Sequence, residues 1–264
     1  METFTYKTID EVLAEMERII DNTIRDRNYM GIFAIVYWIT TLQIKTNIEQ
    51  GRFEDNDRMQ RMDVQFATYY LDAYKKFTDK KPVSGPWEVA FSAGHERLTL
   101  LQHLLLGMNA HINLDLALAA SRIMEDQPIK DLETDYNTIN GILGGLVDRL
   151  QAKLGKASPL MFLLDWIGGR KDEKIINFSL AKARTQSWHI ANEFWALKGD
   201  ALQNRIVEVD QSITKLAEFI KNPKSGLLRF ILKVISWFEV RDVVKILKRL
   251  RDNSNTLLLD PDKI

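Results

Sequence analysis

Apolar residues recur at three- and four-residue spacing along nearly the whole chain. This spacing places side chains on one face of an α-helix. Runs of alternating β-branched residues, which would indicate strands, are scarce. We therefore predict an all-α protein, a multi-helix bundle around one largely buried central helix.

Capping residues, glycines and prolines set the expected helix boundaries. We predict a first helix from Ile9 to about Arg27 after the capping box Thr8–Glu11, and a second from Met30 to about Gln50 that Gly51 ends. Asp55 or Asn56 caps the third. The later helices are predicted over Pro86–Met124, Lys130–Leu154, Pro159–Ile167, Lys171–Leu197, Arg205–Lys221 and Leu227–Arg251. Gly94 and Gly107 are expected to bend or divide the fourth helix, and the last is expected to break near Trp237. We predict a helical core domain over residues 1–200 and a C-terminal helical extension, 201–264, packed on it.

Polar side chains interrupt the predicted central helix in the run LQHLLLGMNAHINLDLALAA. His103, Gly107, His111 and Asp115 follow one another at four-residue steps and so share one slowly winding stripe. His and Asp one turn apart can reach the same cation, and we expect Gly107 to leave room beside them for a metal, a water or a substrate. The same spacing also fits a simple intrahelical hydrogen bond within a buried polar lock.

Asn109 and Asn113 form a second one-turn pair, turned roughly 160° away from His111 and Asp115 by helical geometry. We expect this pair to face another neighbour. Its two alternative roles are scaffolding and orienting a substrate.

A complete metal site needs a ligand from another helix. Asp63 is the first candidate and His189 the second, whereas His95 and Glu96 are expected to lie at the surface. Asp63 on a solvated face and His189 packed against aromatic rings are the structural alternatives.

Composition limits the remaining chemistry. The chain has 264 residues, no cysteine, and 36 basic against 36 acidic residues. Thiolate sites and disulfides are therefore excluded, and no overall charge favours nucleic acid as a partner. The N-terminus lacks the pattern of a secretory signal and no long apolar run is present, so we expect a cytoplasmic location.

The C-terminal stretch SGLLRFILKVISWFEVRDVVKILKRLRD mixes basic with large apolar residues. This composition suits peripheral contact with a membrane surface or a partner helix. A final helix docked on the core with its basic face in water is the alternative.

Four segments together resemble a family of helical proteins catalogued as a domain of unknown function, number five-nine-nine-five. They are GRFEDNDRMQRMDVQFATYYLDA, LQHLLLGMNAHINLDLALA, DYNTINGIL with Asp135, Asn137 and Asn140, and GGRKDEKIINFSLAKARTQSW. The similar part covers about 32–197. The resemblance includes the stripe from His103 to Asp115 and also Phe53, Asp63 and Tyr70, which implies that Asp63 belongs with the stripe. We expect Tyr70 to orient a substrate together with Asn109 and Asn113. The resemblance implies no established reaction.

The leading functional prediction is a metal-dependent enzyme, a hydrolase acting on an apolar or lipid-like small molecule. His103, His111, Asp115 and Asp63 would hold zinc, manganese or iron, and Asp63, His111 and Asp115 would carry the catalysis. One alternative is a metal-free protein that binds or rearranges a small molecule or lipid with a His111–Asp115 acid–base pair. Another is an interaction protein that uses the basic C-terminal helix.

Overall fold

The computed structural model describes residues 6–143, Ser158 and residues 180–252. Within these residues the secondary structure is helical and no strand occurs, which confirms the all-α prediction. The helices are α1 (Ile9–Arg25), α2 (Gly31–Glu49), α3 (Asn56–Thr78), α4 (Gly85–Ser92), α5 (Leu100–Ala110), α6 (Leu116–Ile123), α7 (133–143), α8 (Leu180–Ala196), α9 (Gly199–Lys221), α10 (Gly226–Phe238) and α11 (Val243–Asp252). The predicted helix Pro159–Ile167 lies outside the described residues, as do the end of Lys130–Leu154 and the start of Lys171–Leu197.

Local signals explain most helix ends. The Thr8 side chain accepts the backbone N–H of Glu11 and caps α1. Asp55 caps α3 by accepting the N–H of Arg58. Gly51, beyond the end of α2, has a φ of 69°, a left-handed conformation that glycine adopts without steric cost.

The segment predicted as one helix from Pro86 to Met124 is divided. A 3₁₀ turn at Ala93–His95, which contains Gly94, ends α4, and the capping box formed by Thr99 and Gln102 begins α5. Gly107 does not divide the helix, because it lies inside α5. The winding instead changes farther along, at His111–Asp115, which is one π-helical turn between α5 and α6. We call the unit Leu100–Ile123 the central rod.

The central rod crosses two apolar clusters. The first contains most of α1, α2, α4 and α5 together with the buried faces of α10 and α11. The second contains apolar residues of α6, α7 and α8 and of α9 as far as Ile213. Leu106 and Ala110 belong to the first cluster and Leu114 and Leu116 to the second. The polar stripe therefore lies where the rod passes from one cluster to the other.

The rod is not the only deeply buried helix. Helix α2 is apolar on nearly all sides, and it packs against α1, α3, α5 and α11. Its residues Phe33 and Tyr37 face the rod at the level of His111. Two buried helices thus position the site.

The C-terminal helices pack on the same clusters. Ile213 of α9 lies in the second cluster, and Leu228 of α10 and Leu247 of α11 lie in the first. The predicted break near Trp237 is confirmed, because α10 ends at Phe238 and α11 begins at Val243. Across residues 6–143 and 180–252, no helix combines the length and hydropathy needed to cross a bilayer.

Candidate functional site: a buried histidine and aspartate pair

The π-helical turn brings His111 and Asp115 together. The backbone N–H of Leu116 donates to the carbonyl of His111 five residues earlier, which widens the helix at this point. Single π turns inside α-helices are rare and are frequent at functional sites. The widened turn therefore marks the stripe as unusual on backbone grounds alone.

His111 is held through one ring nitrogen. Its Nδ1 lies 3.1 Å from Oδ2 of Asp115, and Nε1 of Trp87 donates to the same oxygen at 2.9 Å. When Asp115 is ionised, Oδ2 accepts both the Trp87 hydrogen and the Nδ1 hydrogen of His111. No described protein group hydrogen-bonds Nε2, although His111 is only 2% exposed. The carboxylate thus fixes the ring and leaves the Nε2 lone pair unused.

Five aromatic rings surround His111. Phe66 stacks on it with centroids 3.6 Å apart, and Tyr37 lies 4.1 Å away. Phe33, Tyr70 and Trp87 complete the group at longer distances. Four of the five are buried, whereas Phe66 is only partly buried. Among the five rings, Phe66 is therefore the one that solvent reaches.

Burial opposes charge on both members of the pair. It lowers the pKa of His111 well below the usual value and raises the pKa of Asp115 well above it. The hydrogen bond from Trp87 opposes the shift of Asp115, because it stabilises the ionised carboxylate. A neutral His111 is the form that can accept a proton at Nε2.

Asp63 is a second buried acid near the site. It lies on α3 one turn before Phe66, and its Oδ2 has no hydrogen-bond partner among the described residues. Burial raises its pKa to about 7. Burial raises the pKa of Tyr37, and the charges of Asp63 and Asp115 raise it further, so both carboxyl groups interact with the Tyr37 phenol. Asp63 is thus able to exchange a proton near neutral pH.

His103 lies apart from this pair. Its ring stacks on Tyr29 with centroids 4.6 Å apart, and burial lowers its pKa to about 4. The space expected at Gly107 is filled by Phe33, since a Cβ at Gly107 would lie 2.4 Å from Cγ of Phe33. The expectation of room for a ligand at Gly107 is therefore wrong.

The predicted metal ligands are brought together only in part. His111 and Asp115 are in direct contact. Nowhere in the described part of the chain do three or more His, Cys, Asp or Glu side chains converge as an ion would require. The four-residue metal set with His103 and Asp63 stays a prediction.

The asparagine pair faces a different neighbour, as helical geometry predicted. Asn109 donates to the carbonyl of Ile213 at 3.1 Å, and Asn113 donates to Oδ1 of Asn109 at 3.0 Å. These bonds connect the rod to α9. Their arrangement fits the scaffolding alternative, and the substrate-orienting role of Asn109, Asn113 and Tyr70 stays a prediction.

The other histidines lie at the surface. His189 is exposed on α8, and His95 is exposed with Nε2 3.4 Å from the Asn28 side chain. Glu96 forms an ion pair with Lys221 at 2.6 Å. The surface location expected for His95 and Glu96 is confirmed.

Sequence reasoning missed most of the aromatic surroundings. Phe33 and Tyr37 lie one turn apart on α2, and Phe66 and Tyr70 lie one turn apart on α3. This spacing is the available signal, but it is also typical of ordinary core packing. Trp87 carries no signal of its own, because its contact with Asp115 depends on how α4 packs.

Asp135 lies in another buried polar cluster. Its carboxylate accepts from Arg58 at 2.7 Å and from the backbone N–H groups of Glu54 and Asp55. These bonds fix the loop before α3 and the start of that helix. Asp135, which the resemblance singled out, thus stabilises the helix that carries Asp63 and Phe66.

The fold and the site define a class of all-helical proteins in which a central rod with a π turn holds a buried His–Asp pair among aromatic rings. The profile of a family of unknown function, DUF5995, matches residues 9–223, and the chain belongs to this family. The match extends beyond the expected 32–197 in both directions and includes α1 and α9. No curated protein and no solved structure matches the chain.

Proposed function

We propose that this protein binds an apolar small molecule and moves a proton on it, with Nε2 of His111 as the general base. The observation that carries the proposal is a histidine fixed at Nδ1 by Asp115, with Nε2 unpartnered among aromatic rings. A carboxylate that holds one imidazole nitrogen sets the tautomer and orients the other nitrogen toward a substrate. In this site His111 is the catalytic residue and Asp115 the positioning residue.

The surroundings indicate the class of substrate. Phe33, Tyr37 and Phe66 offer ring faces and edges, which favour an apolar or aromatic molecule. We propose that the molecule reaches Nε2 when the partly buried Phe66 ring rotates away. Asp63, one turn from Phe66 and with a pKa of about 7, would return the proton or hold the polar end of the substrate.

The metal-dependent hydrolase remains an alternative proposal. It requires a third ligand to join His111 and Asp115, and among the described residues no such group of ligands converges. The two proposals differ in a measurable way, since chelation abolishes the activity of a metal-dependent enzyme and leaves a histidine base unaffected.

A chromogenic nitrobenzisoxazole tests for an accessible base in aromatic surroundings. A base removes the proton from the ring carbon, the N–O bond breaks, and the nitrile-bearing phenolate that forms absorbs visible light. We expect the wild-type protein to accelerate this reaction and His111→Gln to lose about 100-fold or more of the rate. His189→Gln, at an exposed histidine, is the matched control and should keep the full rate.

Three further results separate the alternatives. Phe66→Ala should raise the rate of His111 modification by diethyl pyrocarbonate, followed by peptide mass spectrometry. Loss of activity with chelator, together with metal found by elemental analysis, would favour the hydrolase. If His111→Gln only lowers the melting temperature and the wild type shows no turnover, the pair is a buried polar lock and the proposal fails.

A further inference from the structure

Helix α10 presents an apolar stripe to solvent. Leu227 is 43% exposed, Phe230 62%, Trp237 49% and Phe238 64%. In the described part of the chain, Val207 is the remaining large hydrophobic residue that is exposed. Isolated apolar residues at a surface are ordinary, but a group of three aromatic side chains on one helix marks an interaction site.

The stripe is on the outer face of a firmly docked helix. Leu228, Ile231, Leu232 and Ile235 on the opposite face are buried in the first apolar cluster. Ser225 caps the helix by accepting the N–H of Leu228. The exposed stripe therefore does not result from a helix that has failed to pack.

A basic groove runs beside the stripe. It has a volume of about 310 Å³ and lies between α10, the segment before α5 and the end of α9. Arg97, Arg229 and Lys233 line it together with Trp237, and within the described residues none of these three cations forms an ion pair. The Lys233 ammonium lies 5.6 Å from the Trp237 ring. The groove thus combines positive charge with the edge of the apolar stripe.

The charge of this end of the chain reinforces the groove. Residues 221–252 contain nine lysines and arginines against three acidic residues, although the whole chain is balanced. Of the acidic residues, Glu239 is buried and accepts the backbone N–H of Leu100. Lys221 and Arg251 form ion pairs with Glu96 and Asp21, and the other basic residues keep this surface positive.

We propose that α10 is a docking surface for an anionic lipid bilayer. Phe230, Trp237 and Phe238 would enter the interfacial region, where aromatic rings are favoured, while Arg229 and Lys233 would contact lipid phosphates. Charge argues against a second copy of this chain as the occupant. A twofold interface would place the same basic groove on both sides of the contact. Helix α10 begins at Gly226, beyond the residues that match the family, and its exposed stripe shares no residue with the His111 site.

Vesicle sedimentation tests the proposal with the full-length protein. Vesicles of phosphatidylcholine alone are compared with vesicles that also contain phosphatidylserine. We expect binding to the anionic vesicles, weakened by added salt because the charges involved are exposed. Each basic side chain near such a surface contributes about fivefold to binding, so Arg229→Glu with Lys233→Glu should reduce it by roughly 25-fold or more.

Matched variants identify the surface. Phe230→Ser with Trp237→Ser should abolish most binding, whereas Val207→Ser, at an exposed residue of α9, should not. Arg61→Glu with Lys215→Glu makes the same charge change at exposed residues of α3 and α9 and should have a much smaller effect than the α10 pair. Equal binding by all variants, or equal binding to neutral and anionic vesicles, would overturn the proposal. It would also be overturned by a dimer in sedimentation velocity that the Phe230 and Trp237 variant dissociates, if vesicles are not bound.

Discussion

Gly107 offers the sharpest test of how the site is packed. A Cβ at this residue would lie 2.4 Å from Cγ and 2.7 Å from Cδ2 of Phe33, distances that real Cβ atoms do not show. Phe33 cannot move freely, because it contacts Tyr37, Tyr70 and Trp87 in the buried core. Gly107→Ala must therefore displace either the ring or helix α5.

The expected free-energy change combines two opposing effects. Overpacking of a core costs up to about 3 kcal/mol, and replacing glycine by alanine in a helix recovers about 1 kcal/mol. We expect Gly107→Ala to lower the free energy of unfolding by about 2 kcal/mol, measured by urea denaturation followed by circular dichroism. For a chain of this size that corresponds to a fall of roughly 4–8 °C in melting temperature.

Gly141→Ala is the matched control. Gly141 is exposed in α7, and no heavy atom lies within 4 Å of a Cβ built there. Only the effect of helix propensity remains, so this variant should raise the free energy of unfolding by about 0.5–1 kcal/mol. If Gly107→Ala is as stable as Gly141→Ala, the Phe33 ring does not fill the space at Gly107 and does not separate His103 from His111.

Three further predictions concern buried charge. Burial raises the pKa of Asp63 from 3.8 to about 7, so between these pH values Asp63 is protonated in the folded state and ionised in the unfolded state. The free energy of unfolding therefore falls as pH rises through this window. Asp63→Asn should remove this slope in urea denaturation at a series of pH values, and parallel curves for variant and wild type would contradict it. Burial lowers the pKa of His103 from 6.5 to about 4, so between these pH values His103 is neutral in the folded state and protonated in the unfolded state. The free energy of unfolding therefore rises with pH through this window, and His103→Gln should remove that rise. Asp135→Asn should lower the free energy of unfolding by about 3–5 kcal/mol, because it leaves Arg58 charged and buried without the Asp135 carboxylate. Glu193→Gln, at an exposed ion pair, is the control and should lower it by less than about 1 kcal/mol. Similar losses in the two variants would contradict this prediction.

The fold could be predicted because its signals are local. The capping residues Thr8 and Asp55 and the left-handed Gly51 act within a few residues of the chain, and each lies where the sequence indicated. Central burial of the rod also followed from the leucines that surround its polar side chains. The deep burial of α2 was not recognised, although the same rule applies to its apolar sequence.

The site could be predicted only as far as one helix extends. The contact between His111 and Asp115 follows from four-residue spacing, but the π turn that accompanies it leaves no recognisable pattern in the sequence. Asp63, the first candidate for a ligand from another helix, lies near the pair, whereas His103, selected by spacing, lies apart from it and stacks on Tyr29. Phe33 explains the difference, because its ring comes from α2 and fills the gap at Gly107 that spacing alone left open. A stripe on one helix therefore indicates which side chains share a direction, and the neighbouring helices decide which of them can act on the same molecule.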